Sequence, residues 1–536
     1  MTHKFHFALI VNIFLLCSFS FAGYNPLYRL DPALDRLVNR LQVRHRTAPR
    51  SFDLQPLRYF ELRNYLDSLP EGSLSGQEEY LLKSLSNRLR ADGGLYSYHN
   101  SRKQVNIRIN LNLLGEVRGS AKGKALGGRG IISPLLSGNV GRFSFYSAID
   151  VWTEYRSDTL FEESDYQPYN GVPYNIYGRE HASSHLRSSD LPRGGVVYDA
   201  DWVKLETAID YLKFGPAVHF PLTLSGEAPP ITYARAKLDL GILEYQHIAG
   251  LLRSQRDKPK YLYAHRLSGS LADGAVHFGL NELIVGGSTT DQQGPDDPDN
   301  SLRMEYYGEE RDWEWTYFIP FVPFKFVEHY IGDKDNAAIS VDLSLLWPRN
   351  FRLYGEFFLD DFLSPWKMFT DDFGNKWAFT AGMQYYNHVF SRDVSAGIEY
   401  SRIEPWVYTH FYGGSHRLDH FDKPLGSKMG PNSQALIASC DIGLTKRITA
   451  GLQVTSMAKG SSRGSRITDV HQDPDDPNPD PLTKTFLGPG TVHHFRPGIY
   501  ASYDPFGIFK LNGILEVDLD QDRGSVHLGL DGGLCF

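Results

Sequence analysis

"RGSVHLGLDGGLCF", residues 523–536, closes the chain and decides its fold class. Read two at a time from the end, Phe536, Leu534, Gly532, Leu530, Leu528 and Val526 fall on one side. Cys535, Gly533, Asp531, Gly529, His527 and Ser525 fall on the other. A repeat of two is that of a β-strand with one apolar face.

The same alternation recurs upstream. It runs through Val105, Ile107, Ile109, Leu111 and Leu113, through Ile339, Val341, Leu343 and Leu345, and through Phe351, Leu353, Gly355, Phe357 and Leu359. It returns in Ile448, Ala450, Leu452 and Val454, and in Phe509, Leu511, Gly513, Leu515 and Val517. A soluble β-sandwich alternates too, but its strands are commonly about 5–6 residues, whereas these are about 9–12, the length that crosses a bilayer. The intervening residues are Asn, Arg, Glu and Asp, as a hydrated lumen requires. Connections also sort by length. "PRN" (348–350), Lys446-Arg447 and Asp504-Pro505 are short, while 361–376, 403–434 and 458–493 are long. If the last strand runs inward, every short turn falls in the periplasm and every long loop outside, the arrangement of a bacterial barrel. The predicted fold class is therefore an all-β transmembrane barrel of antiparallel strands. Counting gives about 16, and weak segments near 190–220 and 300–310 bring it to 18, with an even number expected.

The chain has 536 residues and a net charge of −8, so the basic footprint of a nucleic-acid binder is missing. It opens "MTHKFHFALIVNIFLLCSFSFAG", with Lys4, an apolar run from Phe7 to Cys17, and Ser20 and Ala22 before Gly23. That is the pattern of a secretory signal peptide at 1–22. Leu16 before Cys17 is too bulky for a lipoprotein site. Beyond it no apolar run approaches the roughly 18 residues of a membrane helix. The nearest, "FIPFVPFKFV" (318–327), is broken by Pro320, Pro323 and Lys325. Residues 23–100 read as periplasmic amphipathic helices and 101–536 as the barrel. Asp31-Pro32 starts one helix, a second follows Pro56, and Ser75 with Glu78 forms a capping box for a third. Cys440 lies in an apolar set and Cys535 in a polar one, so two free thiols are expected.

A closing strand that ends on an aromatic residue resembles the assembly signal of outer-membrane barrels, which places the chain in a Gram-negative outer membrane and makes the barrel-assembly machinery a partner. The middle of the chain, about 200–460, resembles the capsule-assembly outer-membrane proteins of the Wzi type. "FGPAVHFPLTLSGEAPP" (214–230) carries the likeness through Gly215, Pro216, Leu224, Ser225, Ala228, Pro229 and Pro230, although Ala217 stands where the family usually has Gly. "HRLSGSLADGAVHFGLNELIVGG" (265–287), "EHYIGDKDNAAISVDL" (328–343), "NFRLYGEFFLDDF" (350–362), "EYSRIEPWVYTH" (399–410) and "KPLGSKMGPNS" (423–433) follow in order. The resemblance implies 18 strands, a periplasmic helical bundle and a lectin-like role in retaining capsular or other surface polysaccharide.

Candidate polysaccharide-binding residues are Glu328, His329, Asp333, Asp335, Asn336, Glu356, Asp360, Asp361, Glu399 and His410; Gly215, Pro216, Ser225, Pro229 and Pro230 are read as structural. Glu356 and Asp360, four apart in a strand, sit about 13 Å from each other, too far for either glycosidase geometry, and an ion-pair network with Arg352 is the competing account. The acidic loops at 291–300 and 471–481 lack the central Gly and closing Glu of a calcium loop. No catalytic residue, metal site or cofactor is expected. Outer-membrane lipid and lipopolysaccharide are expected partners. Two rival functions are a pore for sugar or nutrient uptake, which needs an open lumen, and an outer-membrane hydrolase, for which no motif appears. The polysaccharide binder should instead be plugged by inward-folded segments such as 318–337.

Overall fold

The computed structural model describes residues 32–46, 54–55, 65, 68–69, 74–89, 95–102, 104–120, 125–156, 186–253, 259–289, 310–361, 364–411, 413–471, 481–504, 509–518 and 525–535. The expected signal peptide, most of the helix after Pro56, the weak strand near 300–310 and the acidic stretches 291–300 and 472–480 lie outside the described residues.

Eighteen strands form one closed ring. They are β1 Val105–Ser120, β2 Ala125–Val140, β3 Phe143–Arg156, β4 Leu186–Asp199, β5 Val203–Asp210, β6 Ile231–Asp239, β7 Leu243–Arg253, β8 Pro259–Leu271 and β9 Val276–Gly287. The second half is β10 Asn336–Leu345, β11 Phe351–Asp361, β12 Lys376–Val389, β13 Arg392–Ile403, β14 Ser433–Thr445, β15 Ile448–Lys459, β16 Val492–Tyr503, β17 Phe509–Asp518 and β18 Ser525–Cys535. Each strand pairs antiparallel with the next, and β18 returns to β1 with position 535 opposite Asn112 and position 527 opposite Ser120. The segment Tyr96–Asn100 pairs with β1 beyond the point where β18 stops, extending the seam. Positions 528 and 530 of the opening stretch stand opposite Leu515 and Gly513 on one side and Gly119 and Val117 on the other.

The alternation sorts as the sequence predicts. Val117, Ile132, Val341, Leu343, Leu452, Ile499 and Leu515 are exposed on the outer wall. Arg108, Asn112, Asp150, Arg193, Glu206, Arg266, Asn281, Asp342 and Arg352 are buried inside. Burying charge is costly unless it is paired, and these are paired: Arg193 lies 3.5 Å from Asp150 and 3.6 Å from Asp210, and Arg266 forks onto Asp342 at 2.5 and 3.1 Å. The weak segment near 190–220 resolves into β4 and β5; Arg235 of β6 pairs with Glu206 of β5, and Lys237 of β6 with Glu244 of β7 at 2.8 Å. Cys440 is a free, exposed thiol.

Short turns such as 141–142, 390–391 and 446–447 share one end of the cylinder; the longer connections 211–230, 288–335, 404–432 and 460–491 share the other. Two helices, α1 Pro32–His45 and α2 Gly76–Leu89, pack at the short-turn end. The capping box forms, with the Ser75 amide on Glu78 at 2.7 Å and the Glu78 amide on Ser75 Oγ at 3.2 Å. Ser75 Oγ also donates to Asp393 at 2.6 Å, Arg40 reaches the same carboxylate at 3.2 Å, and Tyr80 donates to the Asp504 carbonyl at 2.9 Å. The first helix buries Leu37, Val38 and Leu41 there. Among the described residues no helix is long and apolar enough to cross a membrane.

Candidate functional site

The connection from β5 to β6, residues 211–230, folds down into the lumen. Its apolar side chains Phe214, Ala217, Phe220, Leu222 and Leu224 are buried against inward residues of β7–β9 and β11, including Ile248, Leu262, Leu283 and Phe358, in one dry layer. A loop carried into a barrel brings main-chain donors that need acceptors. Two strand carboxylates supply them. Glu399 accepts from the amides of Val218 at 2.9 Å, His219 at 3.0 Å and Phe220 at 2.7 Å. Glu356 accepts from Ala217 at 2.9 Å and Leu222 at 2.8 Å. Arg352 closes the tip by donating to the Pro216 carbonyl at 3.1 Å. Gly215 has φ +107°, and a Cβ there would land on the Glu356 carboxylate, so the turn requires glycine.

A second layer, 404–432, lies on this plug. Tyr408 donates its amide to Asp360 at 2.7 Å and its hydroxyl to the Leu222 carbonyl at 2.8 Å. Ser225 donates to the Leu425 carbonyl, and Lys260 pairs with Asp419. A third layer from 460–471 and 481–491 covers the second, through Trp406 on the Gly464 carbonyl, Asn432 on Ser465 at 2.8 Å and Lys484 on Glu404 at 2.9 Å. Where the three meet, a pocket of about 250 Å³ opens at the long-loop end. Its charged lining is Lys423, Lys428, Lys459 and Arg466 against Glu227 and Asp422. Lys459 is spent on the Met429 and Pro431 carbonyls and Asp422 on Arg417. Lys428 and Arg466 are exposed.

No family model matches the chain, and no curated protein sequence does. Among solved structures, Wzi of Escherichia coli, described as an outer-membrane protein involved in group 1 capsule assembly and a carbohydrate-binding β-barrel, aligns with a TM-score of 0.59. It covers 96% of this chain and 99% of its own, at 14% identity. The chain has the Wzi-type fold. Pseudomonas aeruginosa OpdK, solved with vanillate, aligns over 80% of this chain and 99% of its own with a TM-score of 0.44 and 9% identity, and Acinetobacter baumannii OccAB4 over 80% and 98% with 0.43 and 9%.

The ten residues proposed from sequence do not meet in one place. Glu356 and Glu399 hold the plug, and Asp360 holds the second layer. Asp335 is buried at the rim, gripped by Arg311 and by the Tyr317 hydroxyl at 2.9 Å. Asn336 donates to the His416 carbonyl at 2.8 Å. Glu328 is buried against Lys325 at 2.7 Å, and His329 and Asp333 are exposed and 3.8 Å apart. Asp361 is exposed, 3.9 Å from Lys376. His410 stacks on Phe411 and His416. Of the structural set, Gly215 and Pro216 form the plug tip, Ser225 ties plug to second layer, and Pro230 accepts from His420; Pro229 is buried beside it. The pocket cations were not among the ten. Lys423 and Lys428 lie in the stretch 423–433 that carries the family likeness, whereas Arg466 comes from a loop with no pattern. The expected plug at 318–337 is instead elsewhere: residues 211–230 fold into the lumen, and 313–331 lie on the outer wall.

His416 and His420 hold the second layer as neutral rings. Burial, with the Lys260 charge adding to it, pushes His420 down to about 3. Burial also lowers His416, against the opposing hydrogen bond and charge of Asp335. His420 Nδ1 accepts from the Arg253 amide at 2.9 Å, which a proton would prevent. The unfolded layer binds these protons more readily, so its stability is full above about pH 6.5 and falls as pH drops toward 3. At about pH 5, His420 alone should remove on the order of 2 kcal/mol. Hydrogen exchange of amides 416–425, corrected for intrinsic rates, should show lower protection at pH ~5 than at pH ~7.5; equal protection would contradict this.

Proposed function

We propose that this outer-membrane barrel binds surface polysaccharide at its extracellular mouth and holds it there, without catalysis. One observation carries the reading: buried, hydrogen-bonded chain folds into the lumen, while a pocket lined by cations opens outward. Chain folded into the lumen disfavours the uptake pore. Ser415 Oγ lies 2.8 Å from His416 Nδ1, but both side chains are buried and neither lines the pocket. The carbohydrate-binding description of Wzi supports the same reading. The pocket's excess of cations favours acidic polysaccharide, because carboxylate or phosphate on the sugar chain finds charge-assisted donors in Lys423, Lys428 and Arg466. Lipid, lipopolysaccharide and, during biogenesis, the barrel-assembly machinery are its other partners in this account. Its signal peptide at 1–22 and periplasmic helices at 23–100 complete the proposed organisation.

The test is deletion of the gene followed by separate measurement of cell-attached and shed polysaccharide. The attached fraction should fall and the shed fraction rise with total synthesis unchanged. An unaltered partition removes the capsule role and leaves the barrel intact.

A further inference from the structure

The segment "FIPFVPFKFV" belongs to a strap, residues 313–331, that lies outside the barrel. Strand parity fixes this. Tyr245, His247 and Ala249 pair with Leu267, His265 and Tyr263, and these with Leu280, Glu282 and Ile284. That row faces the same way as Leu280 and Val341, which are 46% and 48% exposed on the outer wall. The strap covers the upper part of the row. Tyr317, Phe324 and Val327 are buried on it, and Phe324 stacks on His265 with ring centres 3.7 Å apart.

Its opposite face is bare and mainly aromatic and aliphatic, with Lys325 and His329 beside it on the helix. Trp315, Ile319, Phe321, Phe326 and Tyr330 are exposed, Phe326 and Tyr330 one helical turn apart on α3, Phe324–Ile331. In water this would be an aromatic patch with no partner. In lipid the difficulty is different: each main-chain polar group must be satisfied inside the protein. The strap meets that demand at its turns. Pro320 and Pro323 have no amide hydrogen. The Phe321 amide donates to the Tyr245 hydroxyl at 3.0 Å, the Phe324 amide to Glu282 at 3.1 Å and the Glu314 amide to the Tyr263 hydroxyl at 2.8 Å. Gly332, at φ +108°, turns its amide back to Glu328 and His329. The wall below is lipid-facing, so the bare face continues an apolar surface that already meets acyl chains.

We propose that the strap is a membrane shelf: Trp315, Ile319, Phe321, Phe326 and Tyr330 seat among the acyl chains of the outer leaflet, beneath the rim. The shelf also seals His247, His265 and Glu282, polar side chains on an outer wall, away from lipid. Through Arg311 and Tyr317 it grips Asp335, and through Asp335 it contacts His416 of the second layer. The leaflet thus bears on the element that carries the pocket lysines. This assignment stands whether or not the pocket holds sugar.

The full chain carrying Cys440→Ser and Cys535→Ser is given a single environment-sensitive thiol label at F326C or Y330C and reconstituted into phosphatidylcholine vesicles. V341C serves as the lipid-facing reference and K428C as the aqueous one. Quenching by chain-nitroxide lipid at 326 is expected within about twofold of that at 341 and roughly fivefold above that at 428, as for groups seated about 5–10 Å into the headgroup–acyl boundary. Iodide should give the reverse order. A label at 326 that iodide reaches as readily as at 428 overturns the shelf. So does one shielded from both quenchers while F326C cross-links between chains, because a second copy then covers the face. Phe326 is 70% exposed, so its replacement leaves the packed side of the strap in place.

Discussion

Glu399→Leu is expected to turn a closed cylinder into a conducting one. The Glu399 carboxylate takes three consecutive plug amides and, in addition, the Tyr354 hydroxyl at 2.6 Å. It is 1% exposed, so no water stands ready to replace it. Each buried donor left without an acceptor costs about 1–3 kcal/mol, and Leu abandons all of them, a loss on the order of 5 kcal/mol concentrated in one turn. The barrel does not share that loss, because its strands are held by their own continuous ladder. The variant should therefore keep its heat-modifiable barrel while residues 215–222 leave their seat. In planar bilayers the parent should be nearly silent and the variant should open. Glu356→Leu should act in the same direction through Ala217 and Leu222. Gly215→Ala should do so as well, by strain at φ +107° and by collision with Glu356. A silent Glu399→Leu barrel whose 218–220 amides remain protected from exchange would show that the carboxylate is not what holds the plug.

The same carboxylates mark the boundary of what sequence conveys. Period two assigns Glu356 and Glu399 to the lumen face, and that assignment is local: each strand's own residues determine it. What they bind there is set by chain more than a hundred residues away, Ala217 to Glu356 and Phe220 to Glu399, and no spacing rule connects such pairs. The plug itself, rich in Phe, Leu and Pro, has neither helical nor strand period because it is buried from every side. The strap was misplaced for a related reason. It carries aromatic and aliphatic residues toward the wall and outward, beside Lys325 and His329, which in sequence looks like any inward-folded segment. The gathering of short turns at one end and long connections at the other is legible in sequence because turns and loops differ in length, whereas periodicity alone counts about 16 strands and misses the two weakest. The pocket is not legible, since it is assembled from three loops that only the closed ring brings together.

Charge reversal at the mouth, K423E/K428E/R466E, is expected to abolish polysaccharide retention without disturbing the fold. The reason lies in how little these side chains do for the protein itself. Lys428 and Arg466 are exposed and Lys423 half-buried, and among the described residues none of the three is given an acidic partner. Removing them forfeits no internal pair, in contrast to Lys459, whose ammonium holds the Met429 and Pro431 carbonyls. An acidic sugar chain would meet all three at once. Exposed charge contacts are worth about 0.3–1 kcal/mol each, and reversal replaces attraction with repulsion, so the triple variant should lose roughly 2–3 kcal/mol, or about 30–150-fold in affinity. The parent's affinity should fall as salt rises, since such contacts are screened beyond about 10 Å at 0.1 M, while the variant's should barely change. Titration of purified parent and variant with an acidic polysaccharide and with a neutral glucan, at low and high salt, separates the possibilities. If the variant binds the acidic chain as the parent does, the pocket is not the seat of recognition. If both proteins bind the neutral glucan equally well and the acidic chain no better, recognition rests on aromatic and amide contacts elsewhere on the outer loops.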